Sequence, residues 1–201
     1  MTRKQFLLTT QFAATLLRGA NPPREAPELL LTDTNGKQIR LSLLRGKVVV
    51  LEFMLTTCTH CQNTAKMMSR LQKEFGPKGF HAISLPFNED AATAAPRFVA
   101  EHQVTHPVAA IQRDRAFEFA QLSMMVRHSV PIMVFIDRLG RIRAQYAGDA
   151  AFFQNEEANF RAKSIELLRE TGSRPTGKVR PTSTKSSESS LLDSGTQKQV
   201  I

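Results

Sequence analysis

A chain of 201 residues, 41% hydrophobic and 22% charged, has the composition of one soluble domain with an apolar core and room for extra segments at its ends. Its formal charge of +9 is concentrated in those ends: residues 21–171 carry an excess of only three basic groups, with no basic stripe interleaved with aromatics, which excludes a nucleic-acid-binding surface. The only two cysteines, Cys58 and Cys61, stand three positions apart. They close too short a loop to act as a structural staple, so they point to chemistry.

Residues 1–20 begin with Arg3 and Lys4, continue through an apolar stretch ending near Leu17, and finish at Ala20. This reads as an export signal or an N-terminal helix, and Thr2 to Leu7 resembles the twin-arginine signal pattern with Lys4 in place of the second arginine. The stretch is too short and too interrupted to span a bilayer, which takes about 20 apolar residues. A periplasmic or cell-envelope location follows as the expectation, with the cytoplasm as the alternative.

A domain is expected over residues 27–171. Leu29–Leu31 and Gln38–Leu41 flank Asn35-Gly36, a pair suited to the positive φ angles of a tight hairpin turn. The run 47–55, almost continuously apolar and β-branched, predicts a strand buried on both faces. After Cys61 the period changes: Ala65, Met67, Met68, Leu71 and Phe75 mark one face of a helix that ends at Gly76-Pro77. There follow a strand over Phe80–Leu85, a helix over Ala91–His102, a short strand near Val108–Ile111 and a helix around Arg115–Leu122. A strand over Ile132–Ile136, another over Arg141–Ala147 and a last amphipathic helix over 155–170 complete an α/β pattern, a sheet covered on both faces. Residues 172–201, rich in Ser and Thr and without aromatics, read as a disordered basic tail.

The chemistry sits where the buried strand meets the following helix, at Cys58-Thr59-His60-Cys61. A cysteine at a helix start lies beside unsatisfied N–H groups and the positive end of the helix dipole, which favours thiolate over thiol. Cys58 is thus the expected nucleophile and Cys61, one turn inward, the resolving thiol. A zinc knuckle would need two more ligands. His102 and His106 form an H-x-x-x-H, but they lie far beyond the usual finger spacing from Cys61.

With the Asn35-Gly36 hairpin, the segment Leu41 to Lys47, the apolar strand, Cys-x-x-Cys and the later run Val130 to Asp137, the stretch 27–148 resembles the TlpA/ResA-type proteins of the thioredoxin-like superfamily, within the redoxin and AhpC/TSA-like group. The resemblance implies a thioredoxin fold with a central mixed sheet and an N-terminal hairpin extension. It also implies a thiol–disulfide oxidoreductase that needs no bound cofactor and exchanges disulfides with protein substrates and a redox partner, as a monomer. Pro131 matches the cis-proline facing the active-site disulfide, and Val130 before it would offer its backbone to substrate alongside Thr59 and His60. Glu52 takes the position of the buried acid, where desolvation would raise its pKa and suit it to proton exchange with Cys61. The chain departs from the pattern at Thr57, where tryptophan is usual, and at His60, where proline is usual. Cys-x-His-Cys resembles oxidising periplasmic thiol oxidases, so the direction of electron flow stays open. Two alternatives remain. In a peroxiredoxin-like peroxidase, proline and threonine would stand where this chain has Leu51 and Leu55. A Cu(I)-handling module would draw on Cys58, Cys61, His128 and Met124 or Met125.

Overall fold

The computed structural model describes residues 22–171, so the expectations for residues 1–20 and for the tail from 172 onward lie outside the described residues. Its centre is the apolar run, which forms strand β4 (Val48–Met54), buried along its whole length. The strands before it are β1 (Arg24–Glu25), β2 (Leu30–Thr32) and β3 (Gln38–Arg40); those after it are β5 (Phe80–Pro86), β6 (Ile132–Ile136) and β7 (Arg141–Tyr146). The main sheet has the order β1-β7-β6-β4-β5, with β4 parallel to β5 and antiparallel to β6, while β2 and β3 form a separate hairpin. The helices are α1 (Thr59–Phe75), α2 (Ala91–His102), α3 (Arg113–Ala120) and α4 (Glu156–Arg169). The mixed sheet, the hairpin and the alternation of strands with helices are as the sequence implied.

Strand alternation sorts β4 between two cores. Val49, Leu51 and Phe53 face the hairpin and Phe117 and Phe119 of α3. Val48 and Val50 face Met68, Leu71 and Phe75 of α1 and Phe160 and Leu167 of α4. Glu52 shares the parity of Val48 and Val50, so it points to the α1–α4 side. A third cluster, with Met54, Cys61, Ala65, Ala95 and Phe98, joins α1 to α2 beside the cysteine pair.

Three local expectations are corrected. The hairpin turn is wider than an Asn-Gly pair: Asp33 Oδ1 accepts from the N–H groups of Asn35 and Lys37, and only Gly36 takes a positive φ, +80°. Residues 108–111 form no strand beyond a single parallel bridge between Ser84 and Val108. The next step of that ladder would need an N–H at Pro86, and proline has none. The chain also carries an additional strand, β1, preceded by a cis Pro22–Pro23 bond; at two residues it is too short to show a period in the sequence.

Candidate active site

Beyond β4 the chain turns through Leu55, Thr56 and Thr57 into α1, and Cys58 is its N-cap. The Cys58 N–H donates to Leu55 O, and its Sγ accepts from the Cys61 N–H at 3.3 Å. Gln62 pins the turn by donating from Nε2 to Thr56 O. Both cysteines are thiols; Cys58 is half-buried and Cys61 has no exposed surface. Burial pushes the Cys61 thiol well up, and the Cys58 side chain and the charge of Glu52 act in the same direction.

Glu52 is completely buried and its pKa is pushed up to about 8, first by desolvation, with the nearby Glu156 adding to the rise and a hydrogen bond from Ser84 opposing it. Its Oε2 accepts from Ser84 Oγ at 2.6 Å, while Oε1 meets no hydrogen-bond partner among the described residues. Glu52 is thus a fully buried acid in β4 whose charge acts on Cys61.

Thr59 is exposed in the first turn of α1. His60 is half-buried: its Nε2 lies 3.1 Å from Glu156 Oε2, and its ring stands edge-on to Phe153. Glu156 opens α4, and its Oε1 accepts from Thr64 Oγ1 at 2.5 Å. The second acidic group near the motif is therefore 96 positions from His60.

Val130–Pro131 is a cis peptide bond. Val130 and Cys58 pack against the same cluster that holds Cys61 and Met54, so the structure brings both to one edge of the site. Gly148 N–H donates to Ser129 O, and a Cβ at Gly148 would come within 2.5 Å of Val130 O. From Val130 a groove of about 1100 Å³ runs past Leu55, Phe87, Ile111 and Phe117, with Arg113 and Arg127 on its rim.

The histidines among the other candidate ligands have partners of their own. His128 Nε2 is 2.9 Å from Ser123 O and its ring stands against Phe117, and His102 packs on Phe98. Met124 and Met125 are exposed. Among the described residues no group of three or more His, Cys, Asp or Glu is placed to hold a metal ion. Sequence reasoning missed Ser84 and Glu156 and met His106 only as half of an H-x-x-x-H; tertiary structure brings all three to the site.

The AhpC/TSA family model matches residues 22–145. The thiol-disulfide oxidoreductase ResA of Bacillus thuringiensis subsp. konkukian is 30% identical over 134 residues, 67% of this chain and 74% of that protein. ResA of Bacillus subtilis is 36% identical over 84 residues, 42% of this chain and 46% of that protein. Among solved structures, a thiol:disulfide interchange protein of the thioredoxin family from Chlorobium tepidum superposes with a TM-score of 0.61 at 21% identity, covering 74% of this chain and 98% of that one. A thiol:disulfide interchange protein from a Bacteroides species gives 0.57 at 16% identity, covering 72% and 90%. These structures carry the thioredoxin fold, and the two ResA relatives are named thiol-disulfide oxidoreductases. The chain belongs to the AhpC/TSA family, as a thiol–disulfide oxidoreductase of the TlpA/ResA type.

Proposed function

We propose that Cys58 is the attacking thiol, Cys61 the resolving thiol and Glu52 the group that takes the proton from Cys61, in exchange with disulfides of protein substrates. The Cys58 thiolate attacks one sulfur of a substrate disulfide and the other sulfur leaves as a thiolate. Cys61 then loses its proton to Glu52 and attacks Cys58 Sγ, the mixed disulfide breaks, and the second substrate sulfur leaves. The reverse sequence oxidises a substrate dithiol. The observation that carries the reading is the asymmetry of the pair: Cys58 caps α1 at the surface, whereas Cys61 is wholly buried on the side of an acid with one oxygen unpaired among the described residues.

Docking is assigned to Val130, with Thr59 and His60 flanking the attacked sulfur and the apolar groove taking the substrate chain beyond it. His60, held by Glu156, is the residue that sets the oxidising strength of the pair. A periplasmic or envelope setting fits the signal-like residues 1–20; among the described residues no helix is long and apolar enough to cross a membrane. The test is reduction of insulin disulfides. Cys58→Ser abolishes it, and Cys61→Ser accumulates a mixed disulfide at Cys58; turnover persisting in Cys58→Ser contradicts the assignment.

A further inference from the structure

A buried histidine takes no part in the exchange above. His106 is only 4% exposed, yet both its ring nitrogens are paired: Nε2 lies 2.7 Å from Ser84 Oγ and Nδ1 lies 3.0 Å from Ser69 Oγ. Ser84 in turn hydrogen-bonds Glu52 at 2.6 Å. The register of β4 on β5 sets Ser84 directly opposite Glu52. The segment after α2 delivers His106, because Pro107 O accepts from the Ser84 N–H. The chain of contacts ends at Ser69, which accepts from the N–H of exposed Thr105. Ser69 follows Cys61 by eight positions on α1, roughly 12 Å along the helix axis. Ser69 is itself 8% exposed, so the far end of the network meets solvent over a small area, well away from the mouth where Cys58 meets substrate.

We propose that Ser84, His106 and Ser69 form a proton relay that connects the Glu52 carboxyl to solvent by a route separate from the active-site mouth. Ser84 and His106 are positioning residues in it, and the relay rests on the role of Glu52 proposed above. With Glu52 protonated, its O–H donates to Ser84, Ser84 donates to His106 Nε2, and His106 Nδ1–H donates to Ser69. Release of the proton shifts each link by one bond. Glu52 gives its proton to Ser84, Ser84 gives its own to Nε2, Nδ1–H passes to Ser69, and the Ser69 hydroxyl proton leaves to solvent. Ser84 then donates to the Glu52 carboxylate, Nε2–H donates to Ser84, and Ser69 donates to Nδ1. One proton has left Glu52, and His106 has changed tautomer while remaining neutral. Burial, with the nearby His81, holds the imidazole pKa down at about 3, so it carries protons in this way and not as a stored cation. The relay is useful when a protein joined to Cys58 covers the mouth: Glu52 still loses its proton and becomes the base that Cys61 needs. The titratable groups coupled to the network are Glu156 on α4, which acts on Glu52, Cys61 on α1, on which Glu52 acts, and His81 on β5, which acts on His106.

The test uses the full chain with reduced thiols and follows the ring nitrogens of His106 by nitrogen NMR. Through the titration of Glu52, near pH 8, the favoured tautomer should invert, from proton on Nδ1 to proton on Nε2, with the ring neutral on both sides. Ser84→Ala should abolish the inversion and Ser84→Thr should keep it, a distinction that a merely structural serine does not make. A tautomer that stays fixed in the wild type, or that inverts unchanged in Ser84→Ala, overturns the relay. The role of Glu52 is read separately, from the rate at which Cys61 displaces thionitrobenzoate from Cys58. A Glu52→Gln rate equal to wild type overturns that role and the relay with it. A slowed Glu52→Gln rate with a fixed His106 tautomer overturns the relay alone.

Discussion

Replacing Glu52 by glutamine removes the ionisation that the buried site resists while keeping the size of the side chain. In the unfolded chain this carboxyl ionises near 4.5, and in the fold near 8. Between those values the folded protein holds a proton that the unfolded chain has lost, so Glu52 makes stability fall as pH rises. The slope is about 1.4 kcal/mol per pH unit, and by pH 7 the accumulated cost is on the order of 3 kcal/mol. Glu52→Gln escapes that cost. Its stability relative to wild type should therefore climb by about that amount between pH 4.5 and pH 7, and level off above about pH 8. Any constant penalty from an unpaired amide N–H cancels in the comparison between the two pH values. Urea unfolding of both proteins, with thiols kept reduced and folding followed by circular dichroism because the chain has no tryptophan, measures the difference. A gap that is the same at both pH values would show that Glu52 ionises normally in the fold and would refute the reasoning.

The histidines slope the other way. His81 is lowered to about 4 and His106 to about 3, mainly by burial, so each is neutral in the fold but protonated in the unfolded chain below its ordinary 6.5. Their contribution is present above pH 6.5 and lost as pH falls, and set against Glu52 it should place maximum stability near pH 6.5 in a urea series; a maximum above pH 8 would contradict it. Gly148→Ala should force the Val130 carbonyl aside and raise KM for insulin at least about tenfold with little change in kcat, since backbone within 2.5 Å of the new Cβ has to move; an unchanged KM removes Val130 from docking. His60→Ala should make the pair more reducing, by about 30 mV for each tenfold loss of thiolate stabilisation, as read by thiol trapping in glutathione buffers; an unchanged potential takes His60 out of the redox tuning.

Where the chemistry is local, the sequence is enough. The run 47–55 announces a doubly covered strand, the three-and-four spacing of Ala65, Met68, Leu71 and Phe75 announces the helix, and the cysteines lie at their junction. Glu52 is readable for the same reason: a carboxylate in the middle of a strand buried on both faces is costly to hold there, and that cost marks it for proton chemistry. Ser84 is an ordinary strand residue until the parallel register sets it opposite Glu52, and His106 is a loop histidine until Pro107 ties that loop to β5. Glu156 reads as the usual acidic first turn of a helix and instead reaches His60. The strand expected near Val108–Ile111 fails on a single missing N–H, at Pro86, which lies in a different segment from the one whose pattern predicts it.

The redox equilibrium of the pair bears most directly on the central claim. The reduced protein is held in glutathione buffers of graded potential, quenched with an alkylating agent and weighed by mass spectrometry. Cys58 and Cys61 should pass together from two alkylated thiols to none, as one reversible step with no stable glutathione adduct. A protein whose two thiols are lost independently, or which stays reduced until peroxide oxidises Cys58 alone, would contradict a disulfide-exchange centre.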